Sequence, residues 1–228
     1  MRATPKALLA AIPAERVAKE MLKALALPRP ARFFRVLAQG DCLSPWFEEH
    51  ERARYIPAGP VKWHANSVLG HSLRLMDELA GDAMAVCHDL GKIGTDPALL
   101  PHHYGHEVRG VPLALTLAKR LRLPAVYARA GALAAEEHMK AGMFATLRTG
   151  TRRDLLWRVN QLGLSRPFWK LADADSNSPV SSMAYPGLKA INAVRLPEEW
   201  HNRGEESARK LREMQCMALA ALSRKRAA

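Results

Sequence analysis

Residues 67–92 read Ser-Val-Leu-Gly-His-Ser-Leu-Arg-Leu-Met-Asp-Glu-Leu-Ala-Gly-Asp-Ala-Met-Ala-Val-Cys-His-Asp-Leu-Gly-Lys. Val68, Leu69, Leu75, Met76 and Leu79 recur at helical spacing, so this stretch predicts a helix with one face in a core, and it carries His71. Gly81-Asp82 then turns the chain into a shorter apolar helix, 83–90, ending in His88-Asp89. Two antiparallel helices joined so tightly bring His71 toward the doublet. A single histidine on an apolar helix is ordinarily a core residue. A carboxylate at the inner end of an apolar helix is different, because burying its charge is costly unless it is paired, hydrogen-bonded or bound to a metal. Gly91 lets the backbone leave the helix, and Lys92 returns a positive charge toward the doublet.

The same helical punctuation extends in both directions. Thr4-Pro5 is a cap followed by proline at a first helical position, and Pro13 ends that short helix. A second helix starts near Ala14, with Val17, Met21, Leu22 and Leu25 inward, and stops at Pro28 and Pro30. Residues 31–38 form another, closed by Gly40. Downstream, Asp96-Pro97 is a cap-plus-proline start, and helices are predicted at 111–123, 125–138, 151–162, 165–175 and 204–223. With no alternating strand pattern, the fold class is all-α. The link Tyr55 to Lys62 marks the best boundary. The expected organisation is a helical subdomain at 1–58, a central domain at 59–180 and a C-terminal helical extension at 181–228.

Composition narrows the setting. The chain carries a formal charge of +12, which attracts polyanions, RNA and nucleotides foremost. Three widely separated cysteines without a Cys-x-x-Cys spacing exclude a disulfide framework and fit a reducing cytoplasm. No signal peptide of normal form and no membrane-length apolar run is read.

Seven of the nine histidines lie between His64 and His138. Imidazole and carboxylate together suit a divalent metal working on phosphate, with lysine as a fixed positive charge. His102, His103 and His106 lie in one dense segment, 101–107, able to complete a second metal site, to bind phosphate or to protonate a leaving group. His138 ends a helix after two glutamates. A further ligand must come from afar, and Asp173 or Asp175 is the best offer; two residues apart on a helix, only one should reach the metal. His64 beside Trp63 is a weaker candidate.

These residues resemble the HD-domain metal-dependent phosphohydrolases, through His71, His88-Asp89 with Leu90-Gly91-Lys92, and Asp175. More narrowly, the chain looks like the C-terminal neck and HD domain of bacterial tRNA nucleotidyltransferases, the CCA-adding enzymes. The markers are Pro-Ala-Glu-Arg-Val (13–17), Pro-Ala-Arg-Phe-Phe-Arg-Val-Leu (30–37), Val-Lys-Trp-His (61–64), Gly-His-Ser-Leu-Arg (70–74), Cys-His-Asp-Leu-Gly-Lys (87–92) and His-His-Tyr-Gly-His-Glu (102–107). The resemblance implies a helical HD bundle behind a small N-terminal helical subdomain. It implies His71, His88, Asp89 and Asp175 as ligands of a divalent ion, nickel, manganese, cobalt or magnesium. Lys92 and His106 carry over as phosphate-side residues, joined by His103 as a candidate proton donor. His102, His138 and Asp173 remain as second-shell or second-metal candidates. The implied activity is hydrolysis of nucleotide or RNA-end phosphoesters, 2′,3′-cyclic phosphates and 2′-phosphates among them.

Residues 1–60 contain no Gly-rich strand-turn with paired aspartates, so nucleotidyl transfer is not expected of this chain alone. Asn66-Ser67-Val68 stands where the relatives have a more acidic segment. The alternative is a non-catalytic module that binds tRNA or docks a separately encoded nucleotidyltransferase head.

Overall fold

The structure, a computed structural model, describes residues 5–62 and 66–227. Thr4, read above as a cap, and the Trp63-His64 pair lie outside the described residues. All regular elements among the described residues are helical, and the one β-type pairing is an isolated bridge between Pro57 and Ser67. The chain divides into two compact units, 1–139 and 140–228.

The first unit begins with α1 (Pro5–Ala10), α2 (Ala14–Leu25), α3 (Ala31–Gln39) and α4 (Glu48–Arg52). Of the predicted stripe of α2, Val17, Met21 and Leu25 are buried and Leu22 is half-buried, with Ala14 and Ala18 completing the inward face. Phe34 of α3 is fully buried in an edge-to-face cluster with Phe33 and Phe47, whose centroids lie 5.2–5.8 Å apart. α4 was not expected from the sequence, because five residues give no period to read. It is held by tertiary contacts: buried Glu49 takes a bidentate ion pair from Arg120 at 2.7 and 2.8 Å, and His50 Nε2–H donates to the Val86 carbonyl.

The decisive stretch folds as α5 (Val68–Glu78), opened by the Ser67 hydroxyl, which accepts from the Gly70 N–H at 3.1 Å. After the turn at Gly81, the expected second helix is instead a 3₁₀ turn, Ala83–Val86, capped by Asp82. His88 and Asp89 follow in a turn, and Leu90–Gly94 forms another 3₁₀ segment. The run is too short for an α-helix, and the chain bends around the side chains it has to deliver inward. α6 (His106–Arg120) starts five residues earlier than predicted, behind Gly105 at φ +69°, a conformation that suits glycine. α7 (Ala125–Gly142) ends one turn beyond the prediction.

Small residues bring α6 and α7 against the doublet. A Cβ on Gly91 would lie 1.8 Å from the His106 carbonyl oxygen and 2.6 Å from the Gly110 nitrogen. One on Gly110 would meet Ala135 of α7 at 3.0 Å, and one on Gly131 would meet the Cys87 sulfur at 2.9 Å. Gly91 thus serves close approach rather than a special backbone angle.

The second unit contains α8 (Thr149–Gln161), α9 (Ser165–Ser176), α10 (Ser181–Ala193) and α11 (Glu205–Ala227). α10 escaped the sequence reading because Pro186 interrupts its pattern. Trp169 is fully buried beside Phe144 and Phe168, and Gly187 lets α10 approach Leu156 and Leu219. Buried Arg153 donates to Gln215, whose amide in turn donates to the Ile191 carbonyl, tying α8, α10 and α11 together.

Candidate metal centre

Asp89 is 2% exposed, and nearly everything around it is a nitrogen. Its Oδ2 lies 3.6 Å from His71 Nε2 and 3.4 Å from His88 Nε2. Its Oδ1 lies 3.5 Å from His106 Nε2 and 3.4 Å from His138 Nε2. Two imidazoles therefore face each carboxylate oxygen, delivered by α5, the doublet turn, α6 and α7. Lys92 Nζ lies 2.8 Å from Oδ2 and donates to the Ala58 carbonyl at 2.8 Å. All six residues are buried.

The protonation pattern of the imidazoles follows from their other nitrogens. His88 Nδ1 faces the Ala85 carbonyl at 3.1 Å, His106 Nδ1 the His103 carbonyl at 2.7 Å, and His138 Nδ1 the Ala134 carbonyl at 2.9 Å. A carbonyl only accepts, so each Nδ1 carries a proton, and in the neutral ring Nε2 keeps a lone pair on the Asp89 side. His106 and His138 meet Nε2 to Nε2 at 3.2 Å. Two neutral imidazoles in these tautomers oppose lone pairs there, an arrangement that a bound cation, or a proton on one Nε2, relieves.

Both Asp89 oxygens are buried without a well-aligned hydrogen bond. Burial disfavours the Asp89 charge, but the Lys92 ammonium 2.8 Å away outweighs it, and the carboxyl is held well below its ordinary range. Burial pushes His106 down to about 4 against the pull of Asp89, which keeps its lone pair available.

Asp89, His106 and His138 each present a ligand atom within 4.8 Å of the others. Ligand bonds of about 2.1 Å to one ion would set neighbouring donors about 3.0–3.4 Å apart, close to the spacing observed. The donor set, a buried carboxylate faced by four imidazole nitrogens, fits a divalent cation of the borderline class.

His102, His103 and Asp173 are engaged elsewhere. His103 has both nitrogens engaged: Nε2–H donates to the Pro57 carbonyl and Nδ1 accepts from the Thr95 hydroxyl, each at 2.8 Å. Its own carbonyl orients His106. His102 is exposed and stacks on Tyr104. Asp173 Oδ1 accepts the Ser181 N–H at 2.7 Å, at the start of α10. Asp175 is half-buried on α9 of the second unit. Two contributors had no signal of their own in the sequence. The Ala58 carbonyl anchors Lys92, and Arg109 bonds Gly91, Thr95 and Tyr104 beneath the loop that leads to His106.

Comparison with known proteins finds relatives of the chain. A family profile described as "Probable RNA and SrmB- binding site of polymerase A" matches residues 3–54. The chain is 35% identical over 195 residues to the Multifunctional CCA protein of Nitrosococcus oceani, covering 80% of this chain and 47% of the relative. It is 36% identical over 173 residues to that of Methylococcus capsulatus, covering 71% and 41%, and 32% identical over 200 residues to that of Haemophilus influenzae, covering 79% and 48%. The chain spans about half the length of the curated relatives it matches.

Proposed function

We propose, starting from its homology to the C-terminal part of the multifunctional CCA proteins, that this chain is a metal-dependent phosphohydrolase of the HD type. Its substrates are phosphoesters of nucleotides or RNA 3′ ends, 2′,3′-cyclic phosphates first among them. The observation that carries the reading is the convergence of four imidazole Nε2 atoms on the two oxygens of buried Asp89.

His71, His88 and Asp89 would hold the ion, with Asp175 assigned as the remaining carboxylate. Asp173 is less suited, since one of its oxygens is already given to the start of α10. His106 and His138 extend the ligand set to the other Asp89 oxygen. A divalent ion of the nickel, manganese, cobalt or magnesium group, when bound, supplies Lewis-acid polarisation of a phosphoryl oxygen and lowers the pKa of water.

The chain's own residues do the rest. Carbonyls of Ala85, His103 and Ala134 fix the imidazole tautomers. Lys92, locked between Asp89 and the Ala58 carbonyl, offers its ammonium as a phosphate-side charge. His103 acts through position, holding the approach to His106. Three free thiols fit a cytoplasmic setting, and no described helix is long and apolar enough to cross a membrane.

The test is hydrolysis of 2′,3′-cyclic AMP by the purified chain, after chelation and re-addition of each ion, beside Asp89→Asn. Metal-dependent turnover, with bound metal and turnover both lost in the variant, is expected. Stoichiometric metal without turnover on any phosphoester would sink the hydrolase reading. The profile match over residues 3–54 favours a second reading, a module that binds tRNA or a separate nucleotidyltransferase head. It would be preferred if the chain bound tRNA yet held no metal.

A further inference from the structure

We infer that Tyr104, stacked on His102, is a nucleobase platform that gives the metal centre its preference for nucleotides over other phosphoesters; this rests on the phosphohydrolase reading above. The two rings lie 5.8 Å apart with planes only 11° from parallel. Both are exposed, Tyr104 to 70%. Val108, one helical turn further on α6, is 69% exposed. Leaving this apolar area in water gains the fold nothing.

The loop beneath is held from several sides. Arg109 donates to the Tyr104 carbonyl at 2.8 Å and to the Thr95 hydroxyl at 3.2 Å. His103 pins the same loop to Pro57 and to Thr95. An exposed ring pair on a firmly anchored loop is preorganised to receive a third flat ring, and that ordering is not paid again on binding.

Position supplies the occupant. Only Gly105 separates Tyr104 from His106, whose Nε2 faces Asp89. Adjacent Cα atoms are about 3.8 Å apart, so the Tyr104 and His106 backbones lie at most about 7.6 Å apart, comparable to the span from phosphate to base in a nucleotide. A phosphate at Asp89 and Lys92 therefore leaves its base near the exposed ring. Lys92 supplies positive charge beside Asp89, and Arg109 supplies it at the Tyr104 carbonyl.

The experiment compares equilibrium binding of adenosine 5′-monophosphate and ribose 5-phosphate to the manganese-loaded chain, in wild type, Tyr104→Ala and Tyr104→Phe. Wild type should prefer the nucleotide roughly tenfold, Tyr104→Ala should lose that preference, and Tyr104→Phe should keep it. Equal affinities in wild type, or a preference unchanged by Tyr104→Ala, would overturn the platform. Turnover of ribose 2′,3′-cyclic phosphate, which has no base, is measured in parallel. Absence of turnover on both this compound and 2′,3′-cyclic AMP, with manganese bound, would refute the hydrolase reading, while the binding comparison judges the platform separately.

Discussion

At the scale of single residues, Gly91 shows how a side chain that is absent organises those that act. Its hydrogen lies where α6 passes, and a methyl group there would overlap the His106 carbonyl. That carbonyl belongs to the backbone of a packed helix and has nowhere to go. Gly91→Ala should cost at least about 3 kcal/mol, read by chemical denaturation, and the variant should lose bound metal even where it still folds. His50 offers a test by pH. Burial, outweighing the pull of Glu49, holds its imidazole down to about 4 from the ordinary 6.5. The unfolded chain therefore binds a proton in this window that the folded chain refuses. Stability from this group is complete above pH 6.5 and declines as pH falls toward 4, by an amount of order 3 kcal/mol. His50→Gln, which keeps a donor for Val86, should flatten denaturation midpoints between pH 6.5 and 4. An unchanged slope would show that another group governs the acid limb.

Between elements, the Glu49–Arg120 pair is the joint that ties α4 to α6, and hence the N-terminal helices to the doublet region. Burial raises the Glu49 carboxyl, but the Arg120 guanidinium overrides it and leaves it below its ordinary value. Removing one partner strands the other, so Arg120→Met should destabilise the chain by about 3 kcal/mol. Glu49→Gln added to Arg120→Met should recover part of that loss. Additive losses in the double-mutant cycle would mean that the two groups do not act as a pair. At this scale the sequence was legible where periods were long. The apolar stripes of α2 and α5 match the buried faces except at Leu22 and Leu79, which are half-buried, whereas α4 is too short to show a period and Pro186 hides α10. The stretch after Gly81 was read as a helix and is a 3₁₀ turn, because its apolar run is only one or two turns long.

Across the whole chain, the formal charge of +12 sets the expected response to polyanions. Binding of tRNA should weaken steeply between 50 and 200 mM salt, by about a hundredfold or more if several phosphates are contacted. Salt-independent affinity, measured by filter binding, would argue against an electrostatic interface.

What the sequence determined by itself was local: helical character from period and proline placement, and a candidate metal chemistry from His88-Asp89 with His71. Those features depend on residues close together in the chain, whose geometry helix formation already dictates. Which of the remaining histidines turn to Asp89 was decided only by tertiary structure. His103 and His106 lie three residues apart in one dense segment, yet His106 faces Asp89 while His103 is spent on Pro57 and Thr95. His138, 32 residues beyond His106, arrives because Gly91, Gly110 and Gly131 let α6 and α7 close on the doublet. Close approach is a relation between distant segments, and no local pattern in the sequence encodes it.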